Sequence, residues 1–254
     1  MQCDSENAQV RRFRGILEYD GTEFHGFQQQ AEQRTVQAEL ETSIGRVSSD
    51  TRVVVRAAGR TDSGVHASGQ VIAFDLEWRH GVKELLGAIN AHLPDDACLS
   101  ALEYAEDGFD PRRAARWRRY EYRIYNAPVR SPLHARMSWL VWPKLDMQAM
   151  QAGARILRGE HDFATFGSPP DKRGRTVRTV REVKWRTEGQ ILIFAIEANA
   201  FLYHMVRSIV GTLRMVGSGQ WEPDLVSELL ASPDRSRCGA LAPPQGLTLL
   251  EVKY

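Results

Sequence analysis

The residue in this chain with the clearest capacity for chemistry is Asp62, in the sequence AGRTDSGVH at residues 58–66. Runs of β-branched and apolar residues at 53–55 and 71–74 predict a strand on each side, with Asp62 in the connection between them. The guanidinium of Arg60, two residues away, favours the ionised form of a carboxylate. An ionised carboxylate in this position suits a nucleophile or a general base. Asp-Ser-Gly is also ordinary turn chemistry, so a purely structural turn is the alternative interpretation.

Two further segments combine side chains that could contact RNA. Residues 19–30 interleave aromatic and amide residues, including Gln28, which could stack on bases and hydrogen-bond to their edges; a long connection with two glycine turns is the alternative. Residues 116–123 read as a strand on which Arg116, Arg118, Tyr120 and Tyr122 share one face. Arginine and tyrosine on one face suit phosphate contact and base stacking. For Tyr122 we favour the alternative, a core position with a satisfied hydroxyl.

The last third of the chain adds two candidates of weaker signal. The sequence NAFLYHMVR at residues 199–207 opens a predicted helix with a buried apolar stripe. Phe201 and His204 are candidate RNA contacts there, although a histidine at such a position is more typical of a helix surface. Arg207 falls in the predicted second turn, where the helix dipole does not stabilise a cation, so pairing with an acid is expected. The segment 245–250 predicts a final strand, from which Leu247 could present an apolar surface to a flat ligand.

Composition limits the class of protein. The chain has 254 residues, a net charge of +1, 26% charged and 43% hydrophobic residues, as in an ordinary globular protein. Basic residues nevertheless cluster: residues 111–136 hold eight arginines against one acid, and residues 171–186 hold seven basic residues against two acids. These blocks predict a charged face, unless nearby acids neutralise them.

Several classes of function are not expected from the sequence. No run of 18 apolar residues would span a membrane, and the first residues lack the pattern of a secretory signal. Cys3, Cys98 and Cys238 have neither metal-ligand nor disulfide spacing, which favours a reducing, cytoplasmic environment. A glycine-rich phosphate loop, a paired metal-ligand motif and a Ser/His/Asp order are all missing, so no cofactor and no metal are predicted.

The order of predicted elements occurs twice and sets the expected fold. Two successive β-α-β-β-α-β units predict an α+β fold of two ferredoxin-like halves with largely antiparallel sheet, residues 1–108 and 109–254. Predicted strands cover residues 11–18, 52–57, 70–76, 99–104, 115–125, 177–186, 191–198 and 247–252. Predicted helices follow an N-cap at Thr35 and cover residues 82–92, 146–157, 201–216 and 224–230.

Taken together, these segments resemble the tRNA pseudouridine synthase A family, whose members act on uridines 38, 39 and 40 of the anticodon stem-loop. YDGT at 19–22, GFQQQ at 26–30 and TVQ at 35–37 are similar to the opening motif, and AGRTDSGVH at 58–66 to the catalytic motif. NAFLYHMVR at 199–207 and GLTL at 246–249 are similar to the later motifs. The resemblance runs from about residue 11 to the C-terminus, with the motifs in order.

The resemblance implies a role for individual residues. Asp62 corresponds to the essential aspartate, and Arg60 to the arginine that fills the space left by the extruded base. Tyr120 corresponds to the tyrosine that stacks on the target uracil and can take its C5 proton. Arg207 is similar to the basic residue that pairs with the aspartate, and Leu247 to the apolar residue that packs on the uracil.

The resemblance also implies the setting of the reaction. It implies two ferredoxin-like halves that share a sheet, an active-site cleft between them, a homodimer that holds tRNA, and no cofactor. The chain departs from the family pattern in FDPRRAA at 109–115, where Pro111 and Arg113 replace a usual alanine and a usual aromatic residue. This departure concerns local RNA contact.

The implied reaction breaks the N1–C1′ bond of uridine and joins C5 to C1′. Asp62 could attack C1′, attack C6 of the ring, or remove a proton from C2′, and the sequence leaves all three open. Two other classes of function remain: a non-catalytic RNA-binding protein that uses the same basic face, and a glycosidic hydrolase. Hydrolases commonly use two cooperating carboxylates, and Asp62 has no partner at the level of motifs.

Overall fold

In the computed structural model, which describes residues 10–48, 52–169 and 174–254, the chain divides into two units. Unit 1 extends to Ala115 and includes Tyr254, and unit 2 covers Arg116–Lys253. The division falls after Ala115 rather than near the expected residue 108, because the short helix at residues 111–114 packs against strands of unit 1.

Unit 1 is a small antiparallel sheet with helices. Its elements are β1 (Val10–Tyr19), α1 (Val36–Val47), β2 (Arg56–Ala57), β3 (His66–Glu77), α2 (Val82–Asn90), β4 (Ala97–Tyr104) and α3 (Pro111–Ala114). Strand β1 lies between β4 and β3, and β2 pairs with β3 on the side away from β1. The spatial order of strands is therefore β4-β1-β3-β2.

Unit 2 repeats this order with additions. Its elements are β5 (Trp117–Asn126), β6 (Trp139–Val141), α4 (Met147–Ile156), β7 (Gly159–Asp162), β8 (Val177–Glu188), β9 (Ile191–Ala198), α5 (Met205–Gly217), α6 (Leu225–Ala231) and β10 (Leu247–Lys253). The order β10-β5-β9-β8 corresponds to β4-β1-β3-β2 of unit 1, and β7 pairs with β8 beyond it. All these pairs are antiparallel, whereas β6 pairs with β5 in parallel.

The helices begin and pack as the residue types predict. Thr35 accepts a hydrogen bond from the Ala38 N–H, and the side chain of Asp146 accepts from two N–H groups of α4. The stripe of α1 is buried at Val36, Leu40 and Ile44. Fully burying each such side chain contributes about 1.5–3 kcal/mol, so these faces hold the helices on the sheets. Among the described residues, no helix is both long and apolar enough to cross a membrane.

The prediction of a strand over residues 52–57 is wrong for its first part, since β2 comprises only Arg56 and Ala57. Burial does alternate along this stretch as in a strand, because Val53 and Val55 are buried and Val54 is exposed. Side chains of α1 take the backbone hydrogen bonds of Val55, however. Its N–H donates to Glu41 Oε1 at 2.9 Å, and its carbonyl oxygen accepts from Gln37 Nε2 at 3.3 Å.

The prediction of a helix over residues 201–216 is also wrong at its start, because α5 begins at Met205. Tyr203 instead forms a β-bridge with Ser168, with N–H to oxygen distances of 2.9 and 3.3 Å. His204 then adopts a left-handed conformation with φ of 67°. Arg207 consequently lies in the first turn of α5 and not in its second. The sequence also gave no indication of α3, β6 or β7.

Candidate active site

Asp62 lies in a tight turn between β2 and β3 of unit 1. The Val65 N–H donates to the Asp62 carbonyl oxygen at 3.1 Å, and Gly64 has a φ of 77°. The side chain of Asp62 is half-buried, whereas Arg60 is exposed. The turn chemistry of Asp-Ser-Gly is thus present, and it presents the carboxylate at the surface of unit 1.

The segment Asp20–Gln30 packs directly on this turn. The Phe27 N–H donates to the Thr61 carbonyl oxygen at 3.1 Å, and the Gly64 N–H donates to the Phe24 carbonyl oxygen at 3.3 Å. Ser63 Oγ adds a bond to the same Phe24 oxygen at 3.2 Å. Bonds on both sides of Asp62 therefore tie its backbone to one neighbouring segment, whose rings Phe24 and Phe27 are buried.

Two glycines make this close packing possible. Gly26 has a φ of +86°, and a Cβ there would lie 2.8 Å from the Thr61 carbonyl oxygen. A Cβ on Gly21 would lie 2.0 Å from the Val65 carbonyl oxygen, well inside any allowed contact. Only glycine allows these two backbones to approach so closely.

Buried polar contacts join the start of the segment Asp20–Gln30 to residues on both sides of the Asp62 turn, Thr61 and His66. The hydroxyl groups of Tyr19 and Thr61 are 2.8 Å apart and buried. The Gly21 N–H donates to Nδ1 of the buried His66 at 3.0 Å, and Asp20 Oδ1 lies 3.1 Å from the same nitrogen. Hydrogen bonds are stronger in such low-dielectric surroundings, so the turn is held firmly.

Arg34 supports the same segment from outside. Its guanidinium lies 4.2 Å from the ring centroid of Phe24 and makes a bidentate pair with Asp96 at 2.7 and 2.8 Å. The hydrogen bond that Arg34 donates to Asp96 raises the pKa of Arg34 above its ordinary value. The guanidinium is therefore fixed over the ring of Phe24, the residue whose carbonyl oxygen accepts hydrogen bonds from Ser63 and Gly64.

In unit 2, β5 brings Tyr120 and Phe201 together. Their ring centroids are 4.9 Å apart with planes at 78°, an edge-to-face contact. Tyr120 is 9% exposed, so most of its ring is packed. Arg118, on the same face of β5, donates from Nη1 to the Asn199 carbonyl oxygen at 2.8 Å. Arg118, Tyr120 and Tyr122 thus alternate along β5 as predicted, whereas Arg116 precedes the strand. The segment before α5 lies against this face.

A second group in unit 2 contains Arg207. Arg207 is buried, and its Nε donates to the Ala242 carbonyl oxygen at 2.8 Å. The fully buried Tyr122 donates its hydroxyl to the adjacent Pro243 carbonyl oxygen at 2.7 Å. Burial raises the pKa of Tyr122 well above its ordinary value, and the charge of Arg207 lowers it to a smaller extent. The prediction that Tyr122 is a core residue with a satisfied hydroxyl is confirmed.

Leu247 follows directly from this segment at the start of β10. It pairs with Tyr122 in the β10–β5 register and is buried, and Leu249 pairs with Tyr120. Of the remaining candidates, Gln28 is exposed on the segment that packs on the Asp62 turn. His204 is half-buried, and its ring is 3.7 Å from that of the exposed Tyr203.

Buried acids neutralise part of the basic excess. Glu121 binds Arg186 at 2.6 and 3.2 Å, and Glu197 contacts Arg181 at 3.1 Å and Lys253 at 2.9 Å. These pairs stabilise the sheet of unit 2. The alternative interpretation of the second basic block, as charge offset by acids, therefore holds for Arg181 and Arg186.

Among the described residues, no group of three or more His, Cys, Asp or Glu side chains could hold a metal ion. Cys98 is exposed and Cys238 is half-buried, both as free thiols. Cys3 lies outside the described residues.

Comparison with known proteins identifies the family. The tRNA pseudouridine synthase family model matches residues 16–110 and 154–254, which include the Asp62 turn, the start of α5 and β10. The chain belongs to the tRNA pseudouridine synthase family. It is therefore an isomerase of the class that modifies tRNA.

Relatives match over almost the whole chain. The tRNA pseudouridine synthase A of Myxococcus xanthus is 44% identical over 96% of this chain and 92% of its own length. That of Pseudothermotoga lettingae is 39% identical over 96% of this chain and 100% of its own length. That of Methylococcus capsulatus is 43% identical over 94% of this chain and 88% of its own length.

The sequence analysis identified the residues of the Asp62 turn but missed those that hold this turn in place. The contacts of Tyr19 with Thr61 and of Arg34 with Phe24 join positions remote in sequence, which no local pattern predicts. Gly21 and Gly26 were visible only as part of a motif. Gln70 gave a signal that went unused, as a polar residue in an otherwise apolar strand.

Proposed function

We propose that this synthase isomerises uridine to pseudouridine at positions 38, 39 and 40 of the tRNA anticodon stem-loop, with Asp62 as nucleophile or base. The observation that carries the proposal is the Asp62 turn itself. Its carboxylate is half-buried on a turn that is bonded to one neighbouring segment through the backbone of Thr61 and Gly64 and the hydroxyl of Ser63. A carboxylate held in this way needs little reorganisation to reach a reacting atom.

The reaction constrains what the residues must do. The N1–C1′ bond breaks, the uracil turns, C5 bonds to C1′, and the C5 proton is lost while N1 gains one. The uridine must leave the base stack to be reached, and the detached base must stay in place. Asp62 acts by attack on C1′, by attack on C6, or by removal of the C2′ proton. Each route requires an ionised carboxylate. The isomerisation is redox-neutral, and no cofactor is needed.

The residues of unit 2 are proposed to serve the same uridine. Tyr120 flanks the uracil, because its ring is fixed edge-to-face by Phe201. In its phenolate form Tyr120 accepts the C5 proton. Leu247 packs on the uracil, and Arg207 pairs with Asp62. Arg207 Nε donates to the Ala242 carbonyl oxygen, and this bond helps to fix the direction of the guanidinium.

The remaining candidates are proposed to hold the RNA. Arg60 fills the space left by the extruded base, for which its exposure on the turn suits it. Arg118 contacts phosphate, and Phe201, His204 and Gln28 contact neighbouring nucleotides. Gln28 and Tyr203 are exposed, and the half-buried His204 lies against the Tyr203 ring, which suits this group for stacking and hydrogen bonding.

We further propose that each half is ferredoxin-like, that the active site lies in the cleft between the halves, and that the enzyme is a cytoplasmic homodimer acting on tRNA. The ferredoxin-like proposal is supported by the strand orders β4-β1-β3-β2 and β10-β5-β9-β8, which place the first strand of each β-α-β-β-α-β unit between its fourth and third.

The position specificity is tested by base-resolved mapping of pseudouridine in unmodified tRNA transcripts incubated with the protein. Three transcripts carry a single anticodon-arm uridine at position 38, 39 or 40, and a fourth carries none of them but keeps its uridines elsewhere. Modification of the first three and not of the fourth is expected. Modification of the fourth alone would contradict the assignment while retaining the synthase activity.

A further inference from the structure

Gln70 is a polar residue on the apolar face of β3. Alternate residues of a strand share a face, and those that share this one are Ile72, Phe74 and Leu76. Gln70 and Ile72 are 0% exposed, and the other two are nearly so. An amide in such a row is removed from water and must be explained by its hydrogen bonds.

The amide of Gln70 makes one bond in the direction of the active site. Its Nε2 donates to the carbonyl oxygen of Gly59 at 2.8 Å. The opposite orientation would place two carbonyl oxygens at this distance, so the N–H must face Gly59. Gly59 immediately precedes Arg60, and the bond therefore acts at the point where the chain leaves β2 for the Asp62 turn.

The oxygen of the Gln70 amide is the second polar atom to account for. Gln70 Oε1 is buried and has no hydrogen-bond partner within the described part of the chain. A buried acceptor without a partner destabilises the folded state, and an apolar side chain of similar size would avoid this cost. The stability of the fold thus does not account for a glutamine here, which points to a use for its donor.

The strand is also irregular beside Gln70. In the β1–β3 ladder, Leu17 pairs with Gln70 and Tyr19 pairs with Ala67, so two steps on β1 correspond to three on β3. This is a β-bulge, which redirects side chains and is common next to active sites. The bulge lies between Gln70, which binds Gly59 before the Asp62 turn, and His66, which binds Gly21 in the segment that packs on this turn.

Gln70 binds the chain at a point between two backbone hydrogen bonds. The Ala58 N–H donates to the Val71 carbonyl oxygen at 2.9 Å, at the end of the pairing of β2 with β3. Further along the chain, the Phe27 N–H donates to the Thr61 carbonyl oxygen at 3.1 Å. Gly59 and Arg60 lie between these points, and the bond from Gln70 fixes the orientation of the peptide that joins them.

We propose that Gln70 is a positioning residue for catalysis, which sets the direction of the Arg60–Asp62 backbone through the Gly59 carbonyl. This inference rests on the proposed function, since Arg60 and Asp62 contact the uridine and Gln70 acts only through them. Loss of the donor lets the Gly59 peptide rotate, and a displacement of the carboxylate by a fraction of an ångström to 1 Å lowers turnover steeply.

The test compares Gln70→Met with the native protein in steady-state kinetics on a tRNA transcript, together with thermal unfolding. Methionine keeps the length of the side chain and removes both the donor and the unpartnered acceptor. We expect kcat to fall by about tenfold or more, KM to change by less than about threefold, and Tm to stay the same or rise. Gln70→Leu, which also removes the donor and the acceptor, is expected to lose kcat as well.

Gln151→Met is the matched control in unit 2. Gln151 Oε1 accepts the Trp185 N–H at 2.9 Å, so this variant also loses a bond between a glutamine and the backbone. We expect the opposite result, a lower Tm with an unchanged kcat.

The outcomes separate this inference from the proposed function. A native enzyme that modifies tRNA and a Gln70→Met variant with native kcat would overturn the inference alone. A fall in Tm with unchanged kcat, or failure of both Gln70 variants to fold, would show a structural role and overturn it too. A native protein without activity on tRNA would overturn the proposed function, and the inference with it.

Discussion

Gly26 lies against the carbonyl group of Thr61, the residue before Asp62, at a distance that no side chain could share. A Cβ on Gly26 would lie 2.8 Å from the Thr61 carbonyl oxygen and 3.3 Å from the Asp62 carbonyl carbon. The neighbouring Phe27 N–H bonds to the same Thr61 oxygen at 3.1 Å. The position of the Asp62 backbone is therefore set by a segment more than thirty residues earlier in the chain.

Gly26→Ala is predicted to displace the Asp62 turn. The added methyl group must push against backbone atoms, which cannot rotate away as a side chain would. We expect kcat on tRNA to fall by about tenfold or more. The free energy of unfolding should fall by about 2–5 kcal/mol, because the cost of the left-handed backbone adds to that of the collision. Steady-state kinetics and thermal unfolding measure the two effects.

The control is Gly108→Ala, in the same unit. Gly108 has a similar φ of +77°, but a Cβ there would meet no atom within 4 Å. This variant has the cost of a left-handed backbone, about 1–2 kcal/mol, without the collision. Native kcat is expected. An equal loss of kcat in both variants would mean that backbone strain, and not contact with the turn, is responsible.

Tyr120→Phe and Tyr122→Phe make the same change two residues apart and are predicted to have opposite effects. Tyr120→Phe removes the proposed acceptor of the C5 proton and should lower kcat by about 100-fold or more, with little change in stability. Tyr122→Phe leaves the Pro243 carbonyl without its donor and should cost about 1–2 kcal/mol of stability, with kcat largely retained. Equal kcat values for the two variants would contradict the assignment of roles.

The stability difference between native protein and Tyr122→Phe is predicted to depend on pH. Burial raises the pKa of Tyr122 in the folded state above the ordinary 10.0 of the unfolded chain. Below pH 10.0 both states are protonated and the stabilising contribution of the hydroxyl is complete. Above it the unfolded phenol ionises while the folded one does not, which favours unfolding. The advantage of the native protein over Tyr122→Phe should therefore shrink at high pH, and an advantage independent of pH would refute this.

Local signals predicted much of the secondary structure. The hairpin strand β9 spans residues 191–198 as predicted, because its apolar residues end at clear turn residues. Thr35 and Asp146 begin helices because their side chains accept the first free N–H groups. The predictions failed where contacts distant in sequence replaced local ones, as at Val55, bound by side chains of α1, and at Tyr203, bound by Ser168.

The same division applies to the site. The residues that carry the chemistry stand in short motifs, so Asp62 and Arg60 could be selected from residue types and from the resemblance. The contacts that position them could not, since Gly26 with Thr61 and Gln70 with Gly59 join separate elements. Only the folded structure shows that hydrogen bonds hold the backbone of the Asp62 turn at several successive residues.

Binding of tRNA is predicted to weaken with salt, because arginine–phosphate contacts release counterions. Arg113 and Arg130 are exposed members of the first basic block. Replacing either by alanine should weaken binding and reduce the slope of log Kd against log salt by about 1 if it contacts phosphate. Arg237→Ala is the control, since Arg237 is already paired with Glu228 at 3.0 Å. An affinity of the native protein that stays constant as salt rises would argue against an RNA-binding face.

The central claim, that Asp62 performs the isomerisation, is tested most directly by tritium release from a tRNA transcript that carries 5-³H-uridine. The new bond forms at C5, so release to water reports the reaction itself. The native protein is expected to release tritium, and Asp62→Asn, which keeps the size of the side chain, is expected to bind tRNA with native affinity and release none. Substantial release by Asp62→Asn would contradict the role of the carboxylate. Binding of tRNA without release by the native protein would contradict the activity and favour a protein that only binds RNA.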